Sequence, residues 1–100
     1  MLDAVECAVW TRDFWSEMEA RLPSLKRIDD ARAEVWGWRI RLEWEPFGGR
    51  GAVAIERIQR YRFAGPDPSE SFPVSADENP RLGAVEIART LQMLELIRSS

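Results

Sequence analysis

The side chains best equipped for chemistry in this chain are its carboxylates and arginines, because histidine is absent. That absence removes the commonest general base, the usual partner of a serine or cysteine nucleophile, and the commonest metal ligand. The single cysteine, Cys7, lies on the apolar side of an amphipathic segment and reads as a packing residue rather than a reactive thiol. Adjacent acids occur at Asp29-Asp30 and at Asp77-Glu78. A divalent cation would need a third ligand at a defined spacing, and none is identifiable, so these acids suit turns and the first turn of a helix. Gly48-Gly49-Arg50-Gly51 has the composition of a phosphate cradle. It joins two strand-like segments, so no helix dipole stands behind its amides, and it reads as a hairpin turn. The sequence therefore assigns no catalytic residue, no metal site and no cofactor.

Which surfaces the remaining charges decorate depends on the elements that carry them. Asp3 with Glu6 resembles a helix-starting box, and Cys7, Trp10, Phe14, Met18 and Leu22 follow at spacings of three and four until Pro23 stops the helix. The competing reading, a first strand on Val5, Cys7 and Val9 with Thr11 capping a shorter helix, is less favoured. Residues 24–33 lack a clean period and admit a short edge strand over Leu25 to Ile28, then a turn at Asp29 and Asp30. From 34 to 45, Trp36, Trp38, Ile40, Leu42 and Trp44 alternate with charged or small residues, which predicts one strand with an apolar and a charged face. Such a strand belongs to an antiparallel sheet covered on one side.

A reversal centred between Gly48 and Gly49 predicts a second strand over 52–63, with Trp44 opposite Val53, Leu42 opposite Ile55, Trp36 opposite Tyr61 and Arg41 against Glu56. It leaves Arg57 and Gln59 on the apolar side and Ile58 on the charged side, unless a bulge near Glu56 changes the phase. Residues 65–80 hold four prolines and four carboxylates, and read as a long acidic loop tethered by Phe72 and Val74, with a strand over 70–75 left open. Asn79 then caps, and Pro80 opens, a helix running to about Arg98. Ile87, Leu91, Leu94 and Ile97 form one apolar stripe on it, and Leu82, Val85, Met93 and Leu96 form a second on much of the other side. The predicted fold is a single α+β domain over 1–100, an antiparallel hairpin or small sheet with the N- and C-terminal helices packed on its tryptophan face.

Three surfaces on that fold are candidates for a partner. Arg39 and Arg41 lie beside Arg60 and Arg62 in the simple register, a cluster suited to phosphates or an acidic protein patch, diluted by Glu43, Glu45 and Glu56. Asp67, Glu70, Asp77 and Glu78 in the acidic loop would dock on a basic groove. The second stripe of the last helix, Leu82, Val85, Met93 and Leu96, would pair with its own copy in a homodimer or with another helix. Each has an ordinary alternative: a solvated sheet face, a solvated connector, and a helix covered on both sides.

Composition orders the function classes. With 100 residues, 45% of them hydrophobic and 31% charged, the chain suits one soluble core, and no apolar run approaches the ~20 residues of a spanning helix. Two acids and no base precede Arg12, the wrong order for a leader peptide, so a cytoplasmic location is expected. A net charge of −3 disfavours a general nucleic-acid binder. Five tryptophans are expected to be the skeleton of the core. A non-catalytic protein-binding module, an inhibitor or adaptor of a larger protein, is the leading reading. A nucleic-acid module using the arginine face comes second, and a small carboxylate-dependent enzyme third. In size, acidity and lack of catalytic motifs the chain resembles, as a class, phage-encoded inhibitors of bacterial defence such as anti-CRISPR proteins, and the resemblance implies an inhibitory role.

Overall fold

In the computed structural model, which describes residues 3–58 and 69–99, the N-terminal amphipathic segment is a single helix, α1 (Asp3–Arg21). Its last turn closes where the Leu22 amide donates to the Met18 carbonyl, and Pro23 prevents continuation. Trp10, Phe14, Trp15, Met18 and Leu22 are buried. Cys7 is half-buried at the end of that stripe rather than enclosed in the core.

Five strands follow: β1 (Lys26–Arg27), β2 (Arg32–Val35), β3 (Trp38–Trp44), β4 (Arg50–Arg57) and β5 (Ser69–Ser75), before helix α2 (Pro80–Ser99). They form an antiparallel sheet whose spatial order is the chain order. Ala33, Val35, Trp38, Ile40, Leu42, Val53, Ile55 and Val74 share a core with the inner faces of both helices. The α+β class and the one-sided sheet are as the alternation of apolar and polar residues predicts. Among the described residues, no helix is long and apolar enough to cross a membrane.

Four local features differ from expectation. The strand expected over 34–45 is two strands joined by a tight turn at Trp36-Gly37, both at positive φ, 53° and 83°. Positive φ at both central residues lets a two-residue hairpin match the twist of its strands. Such a conformation costs a bulky L-residue about 1–2 kcal/mol, and the packing of Trp36 against the core offsets it. The inward phase changes from odd positions in β2 to even positions in β3, so the apolar alternation runs past the turn with Trp36 on it.

The β3–β4 register is the second difference. Trp44 pairs with Gly51, Leu42 with Val53 and Ile40 with Ile55, two residues away from the expected alignment, and no bulge interrupts the pairs as far as Trp38 with Arg57. A slip of one would have exchanged the faces, whereas a slip of two preserves them. The pairing expected for Trp36 with Tyr61, the position of Gln59 and the strand's extension to residue 63 lie outside the described residues.

Third, the segment read as loop from 65 to 80, with a strand over 70–75 left open, contains β5. Pro73 misled because it cannot donate a ladder hydrogen bond, but β5 is an edge strand and needs only alternate amides. The Ala76 amide donates to the Gly49 carbonyl at 2.7 Å, so by alternation the amides of Val74 and Phe72 face β4, and position 73 faces the free edge. Proline there leaves the sheet intact and makes its edge a poor template for another strand. The tethering residues Phe72 and Val74 pack on the core as strand residues.

The fourth difference concerns α2. Asn79 caps it through Oδ1, which accepts from the Arg81 amide at 2.9 Å. Ala84, Ile87, Ala88 and Leu91 are buried and Leu94 is partly so, but Ile97, expected on the inner stripe, is exposed. The small Ala84 and Ala88 therefore complete the inner face, and the packing stripe ends one turn early.

Candidate partner-binding surface

The outer face of the sheet carries Arg39 and Arg41 from β3 with Glu34 from β2 and Glu56 from β4. Arg39 Nη2 lies 3.3 Å from Glu34, and Arg41 reaches Glu43 at 3.1 Å through Nε and Glu56 at 2.9 Å through Nη2. The expected Arg41–Glu56 pair thus forms, but diagonally, since Glu56 stands opposite Arg39. Arg39 and Arg41 are thus each engaged by carboxylates, while Lys26 and Arg32 share this face opposite Glu34 and Arg41. Arg60 and Arg62 lie outside the described residues.

The acidic set is dispersed. Glu70 sits near one end of β5 and Asp77 beyond the other, which at about 3.3 Å per residue separates them by roughly 20 Å. Asp77 accepts a short hydrogen bond from the Ser75 hydroxyl, and the Glu78 carbonyl accepts from Trp10 Nε1 at 3.1 Å. The first contact lies within the β5–α2 turn, and the second fastens that turn to α1. Asp67 lies outside the described residues.

A cleft of about 630 Å³ opens between α1 and the β1–β2 turn, lined by Cys7, Thr11, Trp15, Arg27, Asp30 and Trp44 among others. Most of its polar groups are engaged within the fold. Thr11 Oγ1 donates to the Cys7 carbonyl at 2.7 Å and accepts from Trp44 Nε1 at 2.9 Å. Trp15 Nε1 donates to the Asp30 carbonyl at 2.7 Å. Arg27 lies 4.9 Å over the Trp15 ring and also donates to the Asp29 carbonyl and the Glu19 carboxylate. The cleft is thus a braced joint between helix and sheet. Among the described residues no group of three or more acids or cysteines is arranged to hold a metal ion.

At the rim of this joint Asp29 accepts from Arg32 at 2.7 Å and from the Ala31 amide at 2.8 Å. The Arg32 hydrogen bond, with the Ala31 amide second, holds the Asp29 carboxyl below its ordinary value. A carboxyl with a depressed folded-state pKa stabilises the fold above its unfolded pKa, and that contribution disappears as pH falls through the folded value. Asp29→Asn should therefore be slightly less stable than the parent near neutral pH. The difference should close in acid, as followed by urea midpoints from pH 7 to about pH 2.5. A gap that persisted in acid would rule out the ionised pair as its cause.

The outward side of α2 is different in kind. Leu82, Met93 and Leu96 are 68%, 62% and 71% exposed, on the side of the helix opposite Ala84, Ile87, Ala88 and Leu91. Val85, the fourth residue of the predicted stripe, is half-buried at its flank. The exposed Glu86 and Arg89 complete the face, which recurs as 82, 86, 89, 93 and 96 at alternating spacings of four and three. Reading only apolar positions missed these two charges, although the spacing marks them. Comparison with family models, curated proteins and solved structures finds no match. The surface has to be interpreted from its own chemistry.

Proposed function

We propose that the chain is a non-catalytic protein-binding module whose contact surface is the outward face of α2. The observation that carries this reading is the exposure of Leu82, Met93 and Leu96 on one side of a helix whose other side is locked into the core. Scattered apolar residues are ordinary on a protein surface, whereas several aligned along one rigid helix form a stripe that gains by leaving water. A helix laid against a groove or another helix uses this spacing of anchors. Binding of this kind supports an adaptor or inhibitor role, in which the module occupies a partner's surface without chemistry of its own. The carboxylates that engage Arg39 and Arg41 make these two arginines weaker candidates for phosphate.

The test is quantitative binding of the partner recovered from the source cells by affinity capture. Leu82→Asp and Leu96→Asp should each weaken it at least about tenfold, the size of effect expected from a buried apolar anchor. The paired change Arg39→Gln with Arg41→Gln should leave it within about twofold. Both aspartate variants should keep the parental far-UV circular dichroism, since these side chains are exposed. The reverse pattern, with binding lost through the arginines and steep in salt, would replace this reading with nucleic-acid recognition.

A further inference from the structure

We infer that the α2 face is occupied by a second copy of the same helix, running antiparallel across a two-fold axis at the level between residues 87 and 88. The inference rests on the proposed binding role of this face and names its occupant. In antiparallel helix pairs the seam positions three and four apart meet in mixed layers, and here that geometry matches residues of complementary kind. Leu82 falls against the partner's Met93, and Glu86 against the partner's Arg89. The two-fold axis repeats each contact, so two ion-pair layers at the centre are flanked by two apolar layers, and Leu96 falls beyond them against the partner's Asn79 at the edge of the contact. Within the chain, neither Glu86 nor Arg89 forms an ion pair among the described residues. Each is exposed and available for a contact across the axis.

The charged residues disfavour the alternatives. A parallel pair in register would set Glu86 against the partner's Glu86 and Arg89 against the partner's Arg89, with like charges repelling in both layers. Sliding the antiparallel pair by one heptad would place Glu86 against the partner's Leu96 and Arg89 against the partner's Met93, or Leu82 against the partner's Glu86. Each strands a charge on an apolar side chain. Opposed helix dipoles favour the antiparallel sense as well. Leu82 to Leu96 spans only about 21 Å of helix, so the interface belongs to the small class and gives a concentration-dependent dimer rather than a permanent one.

Charge exchange tests the pairing directly. By light scattering from about 1 μM to about 500 μM, the mass of the wild type should rise from 11.5 kDa towards twice that value. Glu86→Arg alone sets arginine against the partner's Arg89, and Arg89→Glu alone sets glutamate against the partner's Glu86. Each should weaken self-association at least about tenfold. An equimolar mixture of the two variants restores opposite charges in both central layers, so it should dimerise again, as should the double variant E86R/R89E. Circular dichroism establishes that each variant is folded, and the mixture serves as a second check because a damaged fold would not be rescued by mixing. A wild type monomeric at every concentration, single exchanges that do not weaken the dimer, or a mixture that stays monomeric would each overturn the inference. If the chain is monomeric but Leu82→Asp still abolishes capture of a different protein, the binding role of the face survives and only the second copy is removed.

Discussion

Trp15→Ala is expected to remove a large part of the stability of this fold. Trp15 is fully buried, meets Phe14 edge to face at 4.9 Å, and donates from Nε1 to the Asp30 carbonyl at 2.7 Å. Arg27 lies over its ring. Truncating a buried tryptophan leaves a cavity and costs about 3–5 kcal/mol, against a total of about 5–15 kcal/mol for a domain. The variant also loses the bond that ties the β1–β2 turn to α1, so the helix–sheet joint should open together with the core. The urea midpoint followed by far-UV circular dichroism should fall by on the order of 2 M. Trp15→Phe keeps most of the apolar volume but lacks the donor, and should recover more than half of the loss. A midpoint unchanged in Trp15→Ala would mean that the indole is not a keystone of this joint.

Side-chain periodicity carried most of the architecture and little of its alignment. Alternation in β3 and the three-and-four spacing of Trp10, Phe14 and Met18 specify which sides face inward, because burial rewards every such position. Register depends instead on the centre of one turn, and a two-residue error there leaves every face correct, so apolar pattern could not reveal it. Pro73 was misread because its penalty depends on which way an amide points, a property of pairing rather than of residue type. Trp36 was misread because its packing overrides an unfavourable backbone angle. Arg39 and Arg41 were legible as a cluster, but their neutralisation needed Glu34 from a strand not separately recognised. On α2 the exposed Leu82, Met93 and Leu96 were legible, since two apolar stripes on one helix cannot both face the same sheet. Glu86 and Arg89 gain meaning only once the outward side is known.

Gly51 gives the second large expected effect, by crowding where Trp15→Ala acts through a void. It pairs with Trp44 at the closed end of the β3–β4 hairpin. A Cβ at this position would overlap the Glu43 carbonyl oxygen and come within 2.9 Å of Trp44 Cε3. The carbonyl belongs to the neighbouring strand and can retreat only if β3 and β4 part. Trp44 is no freer to move: its indole donates to Thr11 Oγ1 at 2.9 Å, and its ring stands edge-on to Trp10 at 5.3 Å. One added methyl group therefore presses on the hairpin and on α1 together. Gly51→Ala should cost about 1–3 kcal/mol, the range for overpacking, and the branched Gly51→Val more, with near-UV circular dichroism of the tryptophans reduced in both. Ala54, three residues along β4 and half-buried on the outer face, provides the contrast. Ala54→Val adds volume where, among the described residues, no helix covers the sheet, and should stay within about 0.5 kcal/mol of the parent. If Gly51→Ala were as stable as Ala54→Val, the close approach of the Glu43 carbonyl could not be what requires glycine at this position.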